Sequence, residues 1–144
     1  MMLLGTITKR KKAWIASCDA IGAITQAGTL ESAIASLADA IEIIVDKKGF
    51  SVSLADVGGE RGARTVMIDS TEPAMLCAAV LRHQRSRSKL SLAEVAERLG
   101  KSRNIYATYE RGEREPSLRQ FRELLAAVAP DMALIVGPRT RRAA

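Results

Sequence analysis

The stretch SLAEVAERLGKSRNIYATYERG, residues 91–112, decides how the second half of the chain folds. Ser91 and Glu94 stand at capping-box spacing, so each side chain can satisfy an amide that the first turn of a helix leaves unpaired. That helix runs from Ser91 to Leu99 and stops at Gly100, which takes a positive φ without a Cβ penalty. Ser102 is the expected cap of a following helix that ends at Arg111-Gly112, so at most three positions link the two. Ala96 is small where the helices must approach. Val95, Leu99, Ile105, Tyr106 and Tyr109 offer the apolar surface that would hold them together.

Further helices flank this pair. One is expected over 74–86, after Glu72-Pro73, since a proline restricts its predecessor and suits a first helical turn. Another begins at Pro116-Ser117, where Ser117 and Gln120 repeat the capping-box spacing. Met132 to Val136 reads either as a final strand or as part of a dimer contact, and a basic stretch, Arg139 to Arg142, closes the sequence.

Two short helices joined so tightly have the geometry of a DNA-reading helix-turn-helix. Residues 81 to about 128 resemble the repressor-type helix-turn-helix family, the XRE or Cro/C1 type. The resemblance is carried by Leu81-Arg82, Arg85, Leu90-Ser91, Glu94-Val95-Ala96, Leu99-Gly100, Ser102, Tyr109-Glu110-Arg111-Gly112, Pro116-Ser117 and Leu124-Leu125. It implies a partly buried ion pair between Arg85 and Glu110 that ties the first helix of the domain to the recognition helix. It also implies that Arg103, Asn104 and, one turn on, Thr108 read base edges. Their chemistry agrees: Arg can give two hydrogen bonds to guanine, Asn can pair with adenine, and Thr offers a hydroxyl or a methyl. Ser102, Arg111 and Arg114 would position the module on phosphates. Ordinary solvent exposure is the competing account of each of these residues. Leu92 and Tyr106 stand where the family commonly has Gln and Ile, which removes one phosphate contact and alters packing.

The charge distribution points the same way. Residues 1–72 hold 8 Lys and Arg against 9 Asp and Glu, whereas residues 73–144 hold 14 against 7, so the net charge of +6 arises wholly in the second half. Such a surplus is either a solvated face or a surface that attracts phosphate.

The first half has a different rhythm. Leu3 to Thr8 and Ala13 to Cys18 have strand character and flank the polar run Lys9-Arg10-Lys11-Lys12, which reads as a charged connection within a hairpin or as a nucleic-acid contact. Trp14 is expected to anchor a core. A third strand lies around Ala23 to Gln26, ending at Gly28, and Thr29 then caps a helix whose Leu30, Ala33, Ile34, Leu37, Ile41, Ile44 and Val45 share one side. Lys47, Lys48 and Gly49 are expected to close that helix, with Gly49 as its left-handed cap. Two more strands, Ser51 to Leu54 and Thr65 to Ile68, enclose an expected loop marked by Gly58-Gly59 and Gly62.

Residues 3–46 resemble the HicB family of antitoxins of bacterial toxin–antitoxin pairs, through Gly22, Ile24-Thr25-Gln26, Gly28-Thr29-Leu30-Glu31, Ala33 and the helix reaching Ala40-Ile41-Glu42. The resemblance implies a degenerate RNase H-like domain that binds a small HicA-like, RNA-cleaving toxin, while the second domain binds the operator of the shared operon. The alternative is a stand-alone repressor whose first domain dimerises or senses a ligand. A homodimer or higher oligomer is expected under both, because symmetric operators match two-fold proteins.

Catalysis is not expected. Asp19, Asp56 and Asp69 occur singly, and His83 sits in a predicted helix of the DNA-binding domain. Two cysteines, Cys18 and Cys77, and one histidine give a metal nothing to build on, so no metal or cofactor is expected and the thiols serve as small apolar residues. No apolar run approaches the roughly 18 residues of a membrane span, and no export-type core follows the early basic cluster, which places the chain in the cytoplasm. The expected architecture is α+β: a small antiparallel sheet with one long amphipathic helix over residues 1–72, an all-α helix-turn-helix domain over 73–138, and a basic tail over 139–144.

Overall fold

Three strands, a helix and two more strands form the first unit. The structure, a computed structural model, describes residues 1–134. Strands β1 (Leu3–Arg10), β2 (Ala13–Cys18) and β3 (Ala23–Ala27) lead into helix α1 (Leu30–Val45), followed by β4 (Ser53–Glu60) and β5 (Ala63–Asp69). Every pairing is antiparallel, and the strand order is β3-β2-β1-β5-β4. The fold class is therefore α+β. A division between Thr71 and Glu72 separates this sheet unit from a helical one.

The sheet alternates as a half-covered sheet must. Ile7, Ala16, Cys18, Ala23, Val66 and Ile68 are buried, as are Ala33, Leu37, Ile41 and Val45 of α1. Each large aliphatic side chain removed from water there contributes roughly 1.5–3 kcal/mol. Thr29 caps α1 by accepting from the Ser32 amide, and Ser32 Oγ accepts from the Thr29 amide in return.

Three local expectations change. The left-handed residue that ends α1 is Asp46, at φ 51°, while Gly49 takes its positive φ in the turn beyond. Aspartate tolerates this region better than most side chains, so the helix stops earlier than the glycine. Gly58 and Gly59 belong to β4 rather than to a loop. The register slips between Asp56 and Gly58, a bulge, and a Cβ on Gly59 would lie 2.2 Å from the Ala63 carbonyl oxygen. The hairpin is thus long, and its turn is confined to Arg61-Gly62. Trp14 is half-buried rather than central, with the Lys9 ammonium 5.8 Å from its ring centroid.

The second unit holds α2 (Pro73–Arg87), α3 (Leu92–Leu99), α4 (Arg103–Glu110) and α5 (Leu118–Val128). Leu76, Leu81, Val95, Tyr106, Phe121, Leu124, Leu125 and Val128 are buried there. Reciprocal caps open α3 (Ser91 with Glu94) and α5 (Ser117 with Gln120). Two side chains tie the surroundings to the end of α5: Arg98 donates to the Ala127 carbonyl at 3.0 Å, and Ser88 to the Val128 carbonyl at 2.6 Å. Met132 to Leu134 is not a strand. Ile135, Val136 and the Arg139 to Arg142 stretch lie outside the described residues.

Cys18 and Cys77 are buried, and desolvation raises both thiols, that of Cys77 to about 11. Among the described residues no cluster of three or more His, Cys, Asp or Glu could hold a metal. No described helix is long and apolar enough to cross a membrane.

Candidate nucleic-acid interface

The turn between α3 and α4 is fixed by backbone bonds. Gly100, at φ 63°, donates to the Glu97 carbonyl at 3.1 Å, and Lys101 donates to the Ala96 carbonyl at 3.0 Å, the paired pattern of a Schellman cap. Ser102 then caps α4 by accepting from the Ile105 amide at 3.2 Å. Since that oxygen only accepts in the cap, its own hydroxyl hydrogen is left to donate to a phosphate.

Helix α4 is held from behind by Tyr106, Tyr109 and Glu110, all buried. Glu110 takes three hydrogen bonds at its carboxylate. Arg85 Nε reaches Oε1 at 2.6 Å, Arg85 Nη2 reaches Oε2 at 2.9 Å, and the Tyr106 hydroxyl donates to Oε1 at 2.6 Å. Arg85 spends its remaining terminal nitrogen on the Leu90 carbonyl at 3.0 Å, and Arg82 donates to the Glu110 carbonyl at 2.6 Å. The fork geometry of Arg and the second donor from Tyr106 offset the desolvation of a carboxylate whose side chain is 7% exposed. The Glu110 hydrogen bond raises the Arg85 guanidinium further, and burial followed by that same carboxylate raises the Tyr106 phenol far above its usual range. Tyr106 therefore stays a donor at physiological pH.

The first turn of α4 faces solvent. Arg103 and Asn104 are exposed and make no side-chain hydrogen bond or ion pair among the described residues. Thr108 is half-buried, and its hydroxyl donates to the Ile105 carbonyl at 2.7 Å. That hydroxyl can then accept from a base, and its methyl can meet a thymine, but it has no hydrogen left to give. Arg114 is exposed without a partner among the described residues. Arg111 differs, because Glu113 accepts from its Nε at 2.6 Å. Glu113 holds the Nε and Nη2 side of the guanidinium and offsets its charge, so a phosphate would meet Arg111 through Nη1 or compete with that carboxylate.

Two features of the helix differ from what its sequence suggests. Ile105, expected to pack inward, is 42% exposed beside Asn104 and Thr108, where it supplies an apolar contact on the outer face. At 100° per residue, the buried set of Tyr106, Tyr109 and Glu110 places Ile105 on the flank, which a helical wheel alone would have shown. Tyr106 was expected only to alter packing, and its bond to Glu110 carried no signal beyond i,i+4 spacing.

A compact pair of capped helices, with the second anchored from within and unpaired polar side chains on its outer first turn, is the arrangement of a DNA-reading module. Residues 77–133 match a helix-turn-helix domain family. The chain thus carries a carboxy-terminal helix-turn-helix domain of the DNA-binding type, and this domain spans all of α3, α4 and α5 with most of α2. The comparison with curated proteins gave no match.

Proposed function

We propose that the protein is a sequence-specific transcriptional repressor in which α4 enters the major groove of operator DNA, with Arg103, Asn104 and Thr108 at the base edges and Ser102, Arg111 and Arg114 on phosphates. The exposure of Arg103 and Asn104, two hydrogen-bonding side chains without a protein partner among the described residues on the first turn of a helix anchored from behind, carries this reading. The charge surplus of the second half supports it. Selection of duplexes from random sequence tests it, and an enriched pool without a shared motif sinks it.

Within that reading the first unit serves as the partner-binding half of an antitoxin. The resemblance of residues 3–46 to HicB proteins supports this, together with three antiparallel strands followed by a threonine-capped helix in the order the resemblance implies. The partner would be a small, basic, RNA-cleaving toxin, the protein itself would not be an enzyme, and a homodimer would match a symmetric operator. Co-expression with a short neighbouring reading frame is the direct test. Failure of residues 1–72 to retain its product leaves the stand-alone repressor.

A further inference from the structure

The register of β1 with β5 brings two turns of the sheet unit together. Thr8 pairs with Ala63, and the Lys9 amide donates to the Gly62 carbonyl at 2.8 Å, so the β1–β2 and β4–β5 turns lie side by side at one end of the sheet. Lys9, Arg10, Lys11 and Lys12 of the first turn thereby join Arg61 of the second. All five are exposed, and none has a carboxylate partner among the described residues. The opposing charge at this end is slight. Glu60 is one carboxylate, and Asp56 is already taken by Arg64, which donates Nε and Nη2 to it at 3.0 Å. Glu31, in the first turn of α1 just after the β3 end that pairs with Trp14, is a second carboxylate at this end. The others lie elsewhere: Asp19 in the β2–β3 turn, Asp39 and Glu42 further along α1, Asp46 at its end, and Asp69 at the far end of β5.

Five cations against two carboxylates leave this end with a positive excess, and a polyanion relieves the repulsion among them. The two turns span four adjacent strands, about 15 Å at 4.8 Å per strand, or roughly four steps of a duplex rising 3.4 Å each. Single-stranded RNA would need open aromatic faces on which bases stack. The one aromatic ring here, Trp14, is half-buried with Lys9 over it. A duplex backbone asks only for cations at this spacing.

We propose that this basic end of the amino-terminal sheet is a second binding surface for the phosphate backbone of double-stranded DNA, separate from α4. The proposal rests on the reading of the chain as a DNA-binding protein. The surface adds affinity and salt dependence, and it carries no base specificity, because the turns offer charges without a helix or ribbon shaped for a groove.

The test uses the full-length protein and a triple variant, Lys11→Asn, Lys12→Gln and Arg61→Gln; asparagine suits the left-handed φ of 51° at position 11. Fluorescence anisotropy gives Kd for an enriched duplex, for a random duplex of equal length and for a single-stranded RNA, each across a salt series, with melting temperatures as the folding control. The variant is expected to lose affinity for both duplexes by the same factor, roughly tenfold to a hundredfold at 0.1 M salt. Its salt slope should shrink by about 0.9 for each phosphate that it no longer neutralises. Unchanged duplex slopes with an unaltered melting temperature overturn the proposal, and so does a loss confined to RNA. Should wild-type protein fail to distinguish the enriched from the random duplex, the reading of α4 falls, while the slope difference still decides the basic end.

Discussion

Tyr106 and Arg85 converge on one atom: both donate to Oε1 of Glu110 at 2.6 Å, Tyr106 from within α4 and Arg85 from α2. Helix α4 is thereby fixed in rotation as well as position, so that its outer first turn keeps the same side chains turned to solvent.

Removing Glu110 should be costly, because it strands two donors at once. Glu110→Ala is expected to lose about 3–5 kcal/mol, toward the lower end since Arg85 remains 24% exposed, as read by urea unfolding. Tyr106→Phe should lose about 1–3 kcal/mol, and the double variant should lose less than the two together. Strict additivity would show that the three side chains do not act as one network.

The same network sets an alkaline limit. The folded state holds the Tyr106 proton far more tightly than the unfolded chain, where a phenol titrates near about 10. Its contribution is therefore complete below that pH, and above it the unfolded chain releases a proton that the folded one keeps. Stability should fall by up to about 1.4 kcal/mol per pH unit from this residue, and buried Cys18 and Cys77, raised in the same direction, add to the fall. Tyr106→Phe should lessen the slope between about pH 10 and 11. An identical pH profile for the variant would refute the assignment.

The two kinds of arginine on the outer surface should separate in binding assays. Arg103→Ala is expected to cost roughly 1–3 kcal/mol on operator DNA and to relax preference at one base pair. Arg114→Ala should weaken specific and random duplexes alike and reduce the salt slope by about 0.9, the share of a single phosphate. Equal losses on both duplexes from both variants would mean that another residue reads the bases.

Arg111 yields a prediction of the opposite sign. On the proposed reading, Glu113→Gln removes a carboxylate that would lie near the DNA backbone and frees the guanidinium nitrogens it holds. DNA binding should tighten on all sequences, with a salt slope steeper by about 0.9. Weaker binding would show that Glu113 orients Arg111 rather than competing for it.

The helices were legible in the sequence because their ends are local events. Thr29, Ser91, Ser102 and Ser117 each cap within three residues of themselves, and each does so in the structure. Paired partners far apart in sequence were less legible. Arg85 and Glu110 were available only through resemblance, since nothing in residue spacing joins positions on separate helices. Gly58-Gly59 carried the same signal that a loop would, and only pairing with β5 turns it into a bulge. Ile105 was misplaced because an apolar side chain on a short helix was read as core. The meeting of Arg61 with Lys9 to Lys12 depends on the β1–β5 register, which no single segment encodes.

The bulge in β4 reaches beyond the geometry of its own hairpin. As an outer strand of the sheet, β4 would otherwise offer a straight row of amides and carbonyls onto which a strand from a neighbouring molecule could add. The slip between Asp56 and Gly58 interrupts that row and increases the local twist. The chain thus carries its own protection against fibrous self-assembly along this border, at a place where two flexible glycines make the distortion cheap.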